Sequence, residues 1–360
     1  MSDLLGIMTH RIKHPDSLRR HARAAIAEQF GGVVAYTPED VDLERGLIRG
    51  YVFRGDTWRR QITSYPKMNM DIGFYQTPAS IGKAGRVKKT KQIRFTGYGL
   101  GNKWKIQSHL LESDFLKPYL LPTEQVKTSQ QFIQFLKKHG RIMLKPINGW
   151  GGRGIVKVIL DEDRFTVHQN GKPTLRLPLE RLGPYIRGVL KNGGRHIMQK
   201  WIDIRNQNGQ VFDIRALMQK NSKGAWQLTG TAVREGRKQS ITSNIKSGGS
   251  AYEAGSYLKK EFGEEKGEAL TKSITEVSNY IPEFTEKSYM KRLTELGIDL
   301  AVDKSGKLWL LEINIKPGRA VIRQVYGKKA WEQSFQRPFQ YARDLYKKEV
   351  ESLREPQKVT

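Results

Sequence analysis

Two segments far apart in the chain constrain its fold more than anything else in it. Residues 141–155 read Arg141-Ile-Met-Leu-Lys-Pro-Ile-Asn-Gly-Trp-Gly-Gly-Arg-Gly-Ile155, a strand signal that ends in a lysine and runs into a glycine-rich loop. Residues 309–318 read Trp309-Leu-Leu-Glu-Ile-Asn-Ile-Lys-Pro-Gly318, a strand signal that ends in Glu-x-Asn. In the first, Gly149, Gly151, Gly152 and Gly154 place four glycines within six residues. Backbone without Cβ atoms can approach phosphate oxygens and turn its N–H groups toward them. A P-loop would close on Gly-Lys-Ser/Thr and open a helix. Here Arg153-Gly154 leads into Ile155-Val-Lys-Val-Ile159, a second strand signal. The expectation is a hairpin lid over phosphates, with Lys145 as a fixed positive charge beneath it. An ordinary glycine hairpin is the plain alternative.

The second segment carries metal chemistry. In a strand, Glu312 and Asn314 share a face. The preceding run Gly297-Ile-Asp-Leu-Ala-Val302 turns back through Asp303-Lys-Ser-Gly306. With Lys304 and Ser305 at the turn centre, Val302 pairs with Lys307 and Asp299 falls opposite Leu310. That register sets Asp299 diagonal to Glu312 and on its face. A turn one residue longer or shorter sends Asp299 to the other side. Three oxygen-bearing side chains suit Mg²⁺ when phosphates and water fill its remaining octahedral positions. A half-exposed polar strand end is the alternative.

Composition bounds the rest. At 360 residues, two or three subdomains are expected. An apolar fraction of 38% with 28% charged residues describes a globular chain. No apolar run approaches the roughly 18 residues that span a bilayer. The first residues show neither a basic n-region nor a cleavage site, so no secretory signal is expected. The absence of cysteine excludes disulfides, thiolate metal sites and cysteine nucleophiles. The formal charge is +27, and residues 81–107 carry Lys83, Arg86, Lys88, Lys89, Lys91, Arg94, Lys103 and Lys105 with no acid among them. A solvated basic surface and a site for a polyanion, nucleic acid included, both fit that run.

Short apolar runs broken by Gly and Pro over residues 1–100 predict a small α/β domain. Residues 102–139 read as helical with a break near Pro118–Pro122. Strands are predicted at 141–160 around the glycine loop, and at 197–202, 211–219, 226–234, 298–302 and 308–315. Helices are predicted near 251–279, 285–296 and 329–354, the last amphipathic. Strands and helices without regular alternation imply an α+β organisation.

With these motifs in this order, residues 102–318 resemble the ATP-grasp superfamily. The resemblance implies two α+β subdomains clasping ATP, preceded by the small α/β domain: residues 1–100, then 101–330, with a C-terminal amphipathic helix over 331–360. Asn102-Lys103-Trp104 is similar to the first ATP-contacting lysine segment, and Lys145 to the second such lysine. Residues 148–154, with Gly149, Gly151, Gly152, Arg153 and Gly154, resemble the flexible lid. His196-Ile-Met-Gln-Lys-Trp-Ile202 resembles the hinge that receives adenine, with Gln199, Lys200 and Ile202 reading the base. Phe212-Asp-Ile-Arg215 resembles the Asp-x-Arg strand, with Asp213 at the cofactor and Arg215 near the transferred phosphate. Arg234 and Asn244, the latter before Gly248-Gly249, resemble the remaining positioning residues. Asp299, Glu312 and Asn314 look like the magnesium ligands. Leu5-Gly-Ile7, Tyr36-Thr-Pro-Glu-Asp-Val-Asp42, Gly50-Tyr51, Trp58 and Glu312-Ile-Asn-Ile-Lys-Pro-Gly-Arg319 extend the likeness to the YheC/YheD group of endospore coat-associated proteins. The departure falls at 65–78, where a Tyr-Asp-Arg-like segment is expected and Met68-Asn-Met-Asp-Ile-Gly-Phe-Tyr-Gln76 stands.

The resemblance implies a ligase using ATP and Mg²⁺ that phosphorylates a carboxylate and passes the acyl group to an amine or thiol. Arg319 is a candidate anchor for that carboxylate, a peptide or an acidic polymer, through its bidentate fork. A solvent-facing arginine is the alternative. A spore coat component that keeps the fold with little or no catalysis is a second function reading, with other coat proteins as partners. The setting implied is the mother-cell cytoplasm or the spore coat. The sequence holds no Gly-x-Ser-x-Gly elbow, and its glycine loop leads into a strand, so serine hydrolase and dinucleotide chemistry find no support.

Overall fold

The computed structural model describes residues 3–148, 154–169, 171–193, 195–237 and 249–352. Gly149, Gly151, Gly152, Arg153 and Asn244, all singled out above, lie outside the described residues. Within them, the strands form three sheets.

The first sheet holds β1 (Leu4–Met8), β2 (Gly32–Tyr36), β3 (Val41–Asp42), β4 (Leu47–Arg54), β5 (Thr57–Ser64) and β6 (Met68–Asp71), ordered β3-β4-β2-β1-β6 with β5 on β4. β1 pairs in parallel with β2 and β6 and is buried along its length, which is why it reads as an unbroken apolar run. One face packs on α1 (Arg19–Ala27) through Leu5, Ile7, Ala22 and Ala25. The other packs on α2 (Pro78–Lys89) through Met8, Val34, Ala84 and Val87. Pro78 at the first helical turn and the Thr77 hydroxyl, which accepts from the Ser80 N–H at 3.1 Å, start α2. The basic run is less free than its composition suggests. Lys83 pairs with Glu39, Lys88 with Asp71, Arg94 with Glu349 and Lys103 with Glu312, so half of its eight cations are already engaged.

The segment 102–139 contains two helices, α3 (Lys103–Leu110) and α4 (Ser129–His139), with a short strand between them. That strand, β7 (Thr123–Gln125), joins β8 (Arg141–Pro146), β9 (Val156–Asp161), β10 (Arg164–His168), β11 (Leu175–Pro178) and β12 (His196–Lys200) in an antiparallel sheet ordered β11-β10-β9-β8-β12-β7. Ile142, Leu144, Val158, Phe165 and Met198 bury one face against α4 and α5 (Leu182–Gly193). By the two-residue period of a strand, Lys145, Ile197 and Gln199 project from the opposite face.

The third sheet is β15-β14-β13-β16-β17, built from β13 (Phe212–Lys220), β14 (Trp226–Glu235), β15 (Ser250–Glu253), β16 (Glu295–Val302) and β17 (Leu308–Asn314). Its core face, with Ile214, Ala216, Met218, Ile298 and Leu300, packs on α6 (Ala254–Phe262) and α7 (Glu264–Tyr289). The helix expected over 285–296 is instead the end of α7, which stops at Tyr289 before β16 starts at Glu295. Met290 takes a left-handed conformation there (φ 49°) and breaks the turn.

The final helix starts earlier than its amphipathic stretch suggests. α8 runs Ala320–Ser352 and is interrupted at Gly327, whose φ of 81° no helix allows. Before that break Val321 and Ile322 cover Leu217 and Ala232 of the third sheet. After it, Phe339 and Ala342 enter the core of the first. One element thus bridges two sheets. No helix among the described residues is long and apolar enough to cross a membrane.

Candidate functional site

The face of the third sheet opposite α7 carries a row of charge. Register places Arg234 beside Asp213, Arg215 beside Asp299, and Asp299 beside Glu312. Arg234 donates to both Asp213 oxygens at 2.6 Å, and its Nη2 lies 3.2 Å from Asp299 Oδ2. Arg215 donates to the same Asp299 carboxylate, with Nη2 to Oδ2 at 3.1 Å. Asn314 Nδ2 reaches Asp299 Oδ2 at 3.4 Å. Burial alone would raise the Asp299 pKa, but Arg215 and Arg234 outweigh it and hold the carboxyl below its usual range. Burial likewise opposes the Arg234 charge, and Asp213 with Asp299 more than restores it. Space over Gly297 lets this happen: a Cβ there would stand 2.8 Å from Pro317 Cβ and 3.2 Å from Arg215 Nη1.

Asp299, Glu312 and Asn314 share a face as expected, but by another register. Val302 pairs with Leu308 rather than Lys307, so the connecting loop is one residue longer than expected. A β-bulge then leaves Leu311 unpaired between Leu310, opposite Leu300, and Glu312, opposite Asp299. The two offsets together return Glu312 and Asn314 to the face of Asp299, and put Glu312 directly across from it rather than on the diagonal.

Helix α3 and the second sheet supply the opposing cations. Lys103 begins α3, which Asn102 caps by accepting from the Lys105 N–H at 2.9 Å, and its ammonium pairs with Glu312. The helix N-terminus adds its own positive potential there. Lys145 stands on β8 opposite Ile197, and its Nζ donates to Gln199 Oε1 at 2.6 Å. Gln199 Nε2 in turn donates to Thr123 Oγ1 at 2.9 Å. Lys145 therefore rests on a neutral carboxamide. Burial, followed by repulsion from Lys103, lowers its pKa to about 8 against the pull of Glu312 and Asp299.

These groups enclose a cavity of about 30 Å³ between the two sheets, with Lys103, Gln107, Lys145, Gln199 and Glu312 as its polar lining. That is room for about one water molecule. Ile106 and Leu110 of α3, one helical turn apart, and the bulged Leu311 form its apolar wall. Sequence reasoning passed over these three, although the i, i+4 spacing and the doubled Leu310-Leu311 were readable signals. At that volume the cavity is too small for a nucleotide as it stands.

The remaining expected residues are placed as follows. Lys200 spends its N–H on the Pro122 carbonyl (2.9 Å), and Ile202 follows the end of β12, on the Arg141 side of the ladder. Both Asp213 oxygens hold Arg234. Gly154 has φ 70°, and a Cβ there would fall 2.9 Å from Pro146 Cγ, so the chain after the glycine loop closes tightly over β8. Arg319 does not extend into the cleft. Its Nη2 pairs with Glu295 and its Nε donates to the Ser334 carbonyl at 3.2 Å, so the fork is already engaged.

The donor set fits a magnesium-bound triphosphate. Among the described residues no group of three or more His, Asp or Glu gathers, so a metal here depends on oxygens beyond two carboxylates and one amide. Phosphates supply such oxygens. The Lys103–Glu312 pair shows the same complementarity, since a cation placed for phosphate meets a carboxylate placed for metal.

A family profile described as YheC/D like ATP-grasp matches residues 92–345. The chain is 28% identical over 310 residues to the endospore coat-associated protein YheC of Bacillus subtilis (strain 168), covering 83% of this chain and 84% of that one. It is 26% identical over 345 residues to YheD of the same organism, covering 90% and 73%. In fold it is similar to the D-alanine–D-alanine ligase from Coxiella burnetii, with a TM-score of 0.55 at 11% identity over 98% of this chain and 97% of that one. By the extent of the profile match and the sheet architecture that carries it, the chain belongs to the YheC/D-like ATP-grasp family.

Proposed function

We propose that this protein is an ATP- and magnesium-dependent ligase that joins a carboxylate to an amine or thiol through an acyl phosphate. One observation carries the reading: Lys103 and Lys145 converge from separate elements on the Glu312 end of β17, and the Lys145 ammonium donates to the neutral Gln199 amide while Glu312 and Asp299 act on it only through space. A largely desolvated cation with no ion pair in direct contact is costly, and a phosphate oxygen would relieve that cost.

Lys103 and Lys145 would hold the phosphate oxygens, and Gln199, with the backbone at Lys200 and Ile202, would meet the adenine. When bound, magnesium would offset triphosphate charge, with Glu312, Asn314 and Asp299 as its protein ligands. Glu312 is the readiest of the three, since its partner is one flexible lysine while Asp299 is gripped by two arginines. In the first step a substrate carboxylate oxygen bonds to the γ-phosphorus, the β–γ bridging bond breaks, and ADP leaves. In the second, the nucleophile bonds to the acyl carbon, phosphate leaves with the electrons of the broken C–O bond, and the nucleophile releases its proton. Arg215 and Arg234 would stabilise charge on the transferred group, each held in place by Asp299 or Asp213.

The acceptor is read as a peptide or an acidic polymer; the setting, the mother cell or the spore coat, is read from the names that the two relatives carry. The same names favour a second reading, a coat protein that uses the fold for assembly with little catalysis. Mass spectrometry of products formed from Mg-ATP and a metabolite and peptide mixture separates them. A ligated product appearing with ADP supports the ligase. Tight nucleotide binding with no ATP-dependent product, together with stable coat incorporation of a Glu312→Ala variant, supports the assembly role.

A further inference from the structure

We propose that the groove between α1 and the part of α8 beyond Gly327 is a docking site for an acidic peptide segment of a partner protein. The groove holds about 470 Å³, and Glu332 is the one acid that lines it. Ala27 and Phe335 supply apolar surface and Arg20 supplies charge, while Arg23 at the rim already pairs with Asp56. The Arg20 guanidinium lies 3.6 Å from the Trp331 ring centroid and 3.9 Å from that of Phe335. Arg323 stands 5.1 Å from the same Trp331 ring, and Arg319 stands 5.8 Å from Phe335. Three guanidinium groups therefore gather around two rings. Burial lowers the Arg20 pKa, and Arg319 and Arg323 lower it further against the pull of Glu332. An incoming carboxylate would relieve that crowding.

The arrangement selects its occupant. Stacking uses the faces of a guanidinium and leaves its edge N–H donors directed outward, where they match carboxylates. The alanine and phenylalanine surface takes an aliphatic side chain, and arginine with tryptophan is the pairing enriched where peptides and proteins bind. A nucleic acid gains less here, because Arg20 already covers the ring faces on which bases would stack. Arg319 links the neighbourhood of the groove to the third sheet. It belongs to the loop that follows Asn314, and its partner Glu295 lies on the strand of Asp299. The proposal goes beyond the ligase reading and is tested without nucleotide.

The probe is a fluorescein-labelled glutamate-rich peptide carrying two leucines, titrated with the full chain at about 0.15 M salt, where exposed charges beyond a Debye length are screened. The glutamine analogue is the control. Binding of the glutamate peptide only, weakened about tenfold or more by Arg20→Glu with Arg323→Glu, is expected. Lys89→Glu with Lys91→Glu, on and after α2, should leave it within about twofold. Ala27→Trp, which fills the groove without removing a charge, should also abolish binding and covers the case in which the arginine variants fail to fold. Equal weakening by the α2 pair overturns the proposal, as does peptide binding that survives Ala27→Trp. Displacement of the peptide by single-stranded DNA at lower concentration overturns it in favour of a nucleic-acid site.

Discussion

Asp299 sits directly across the ladder from Glu312 because Leu311 is bulged out of β17. Without the bulge, the two-residue period that buries Leu308 and Leu310 would also turn Glu312 and Asn314 into the α7 core. Deleting Leu311 removes the extra residue and leaves Glu312 opposite Asp299 in an unbulged ladder, so Glu312 and Asn314 are expected to keep the face of Asp299 and the variant to fold. Leu311→Ala keeps the bulge and should fold, with a melting temperature within a few degrees of the parent. Expression and thermal melts of the two variants compare them directly.

Glu312→Gln removes the carboxylate of the candidate metal site while keeping its shape. The lost Lys103 ion pair is partly exposed on the Glu312 side, so its stability cost should stay near or below about 1 kcal/mol. Affinity for Mg-ATP should fall about tenfold or more, since a metal ligand is lost. Calorimetric titration showing unchanged affinity would place the metal elsewhere.

Lys145 gives a pH signature whose sign follows from its lowered pKa of about 8 against an ordinary 10.5. Between those values the unfolded chain binds more protons than the folded one, so stability rises with pH across that window. Below it, both states carry the proton and the full cost of the buried charge remains. Lys316 and Lys157 are shifted the same way, so the informative quantity is the parent minus Lys145→Met. That difference should narrow by on the order of 1–3 kcal/mol from pH 8 to 10.5 in urea unfolding. Nucleotide affinity should move oppositely, weakening as Lys145 loses its proton.

Asp299→Asn strands Arg215 and Arg234 with Asp213 alone in a buried setting. A loss of about 3–5 kcal/mol is expected, as for other broken buried ion networks. Because the Asp299 pKa is depressed, the parent keeps this stability above the unfolded value of 3.8 and loses it only as pH falls through the lower folded value. A double-mutant cycle of Asp299→Asn with Arg215→Met should give a coupling energy well above zero. Simple additivity would count against the network.

Gly297→Val tests whether Arg215 needs the space above β16. A side chain there meets Pro317 and the guanidinium. Despite the better strand propensity of valine, the variant should melt several degrees lower and lose about tenfold in Mg-ATP affinity. A rise in melting temperature with affinity intact would show that Arg215 can move freely.

What the chain announces locally was readable without coordinates. The Lys145 strand running through glycines into another strand, the Glu-x-Asn end of β17 and the order of the motifs between them led to the ATP-grasp fold. Each depends on residue chemistry and on periods of two or about four residues, which a short window contains. Lys145 and Glu312, named from such windows, meet Lys103 and Gln199, named through the family resemblance, at one cavity, and Asn314 reaches Asp299. The bulge, the loop length, the grip of two arginines on Asp299 and the diversion of Arg319 to Glu295 were not readable. Register answers to the burial of Leu308, Leu310 and Ile313 against α7, and ion pairing answers to which strands become neighbours. Both are settled by contacts between residues far apart in sequence, and only the packed chain makes those contacts.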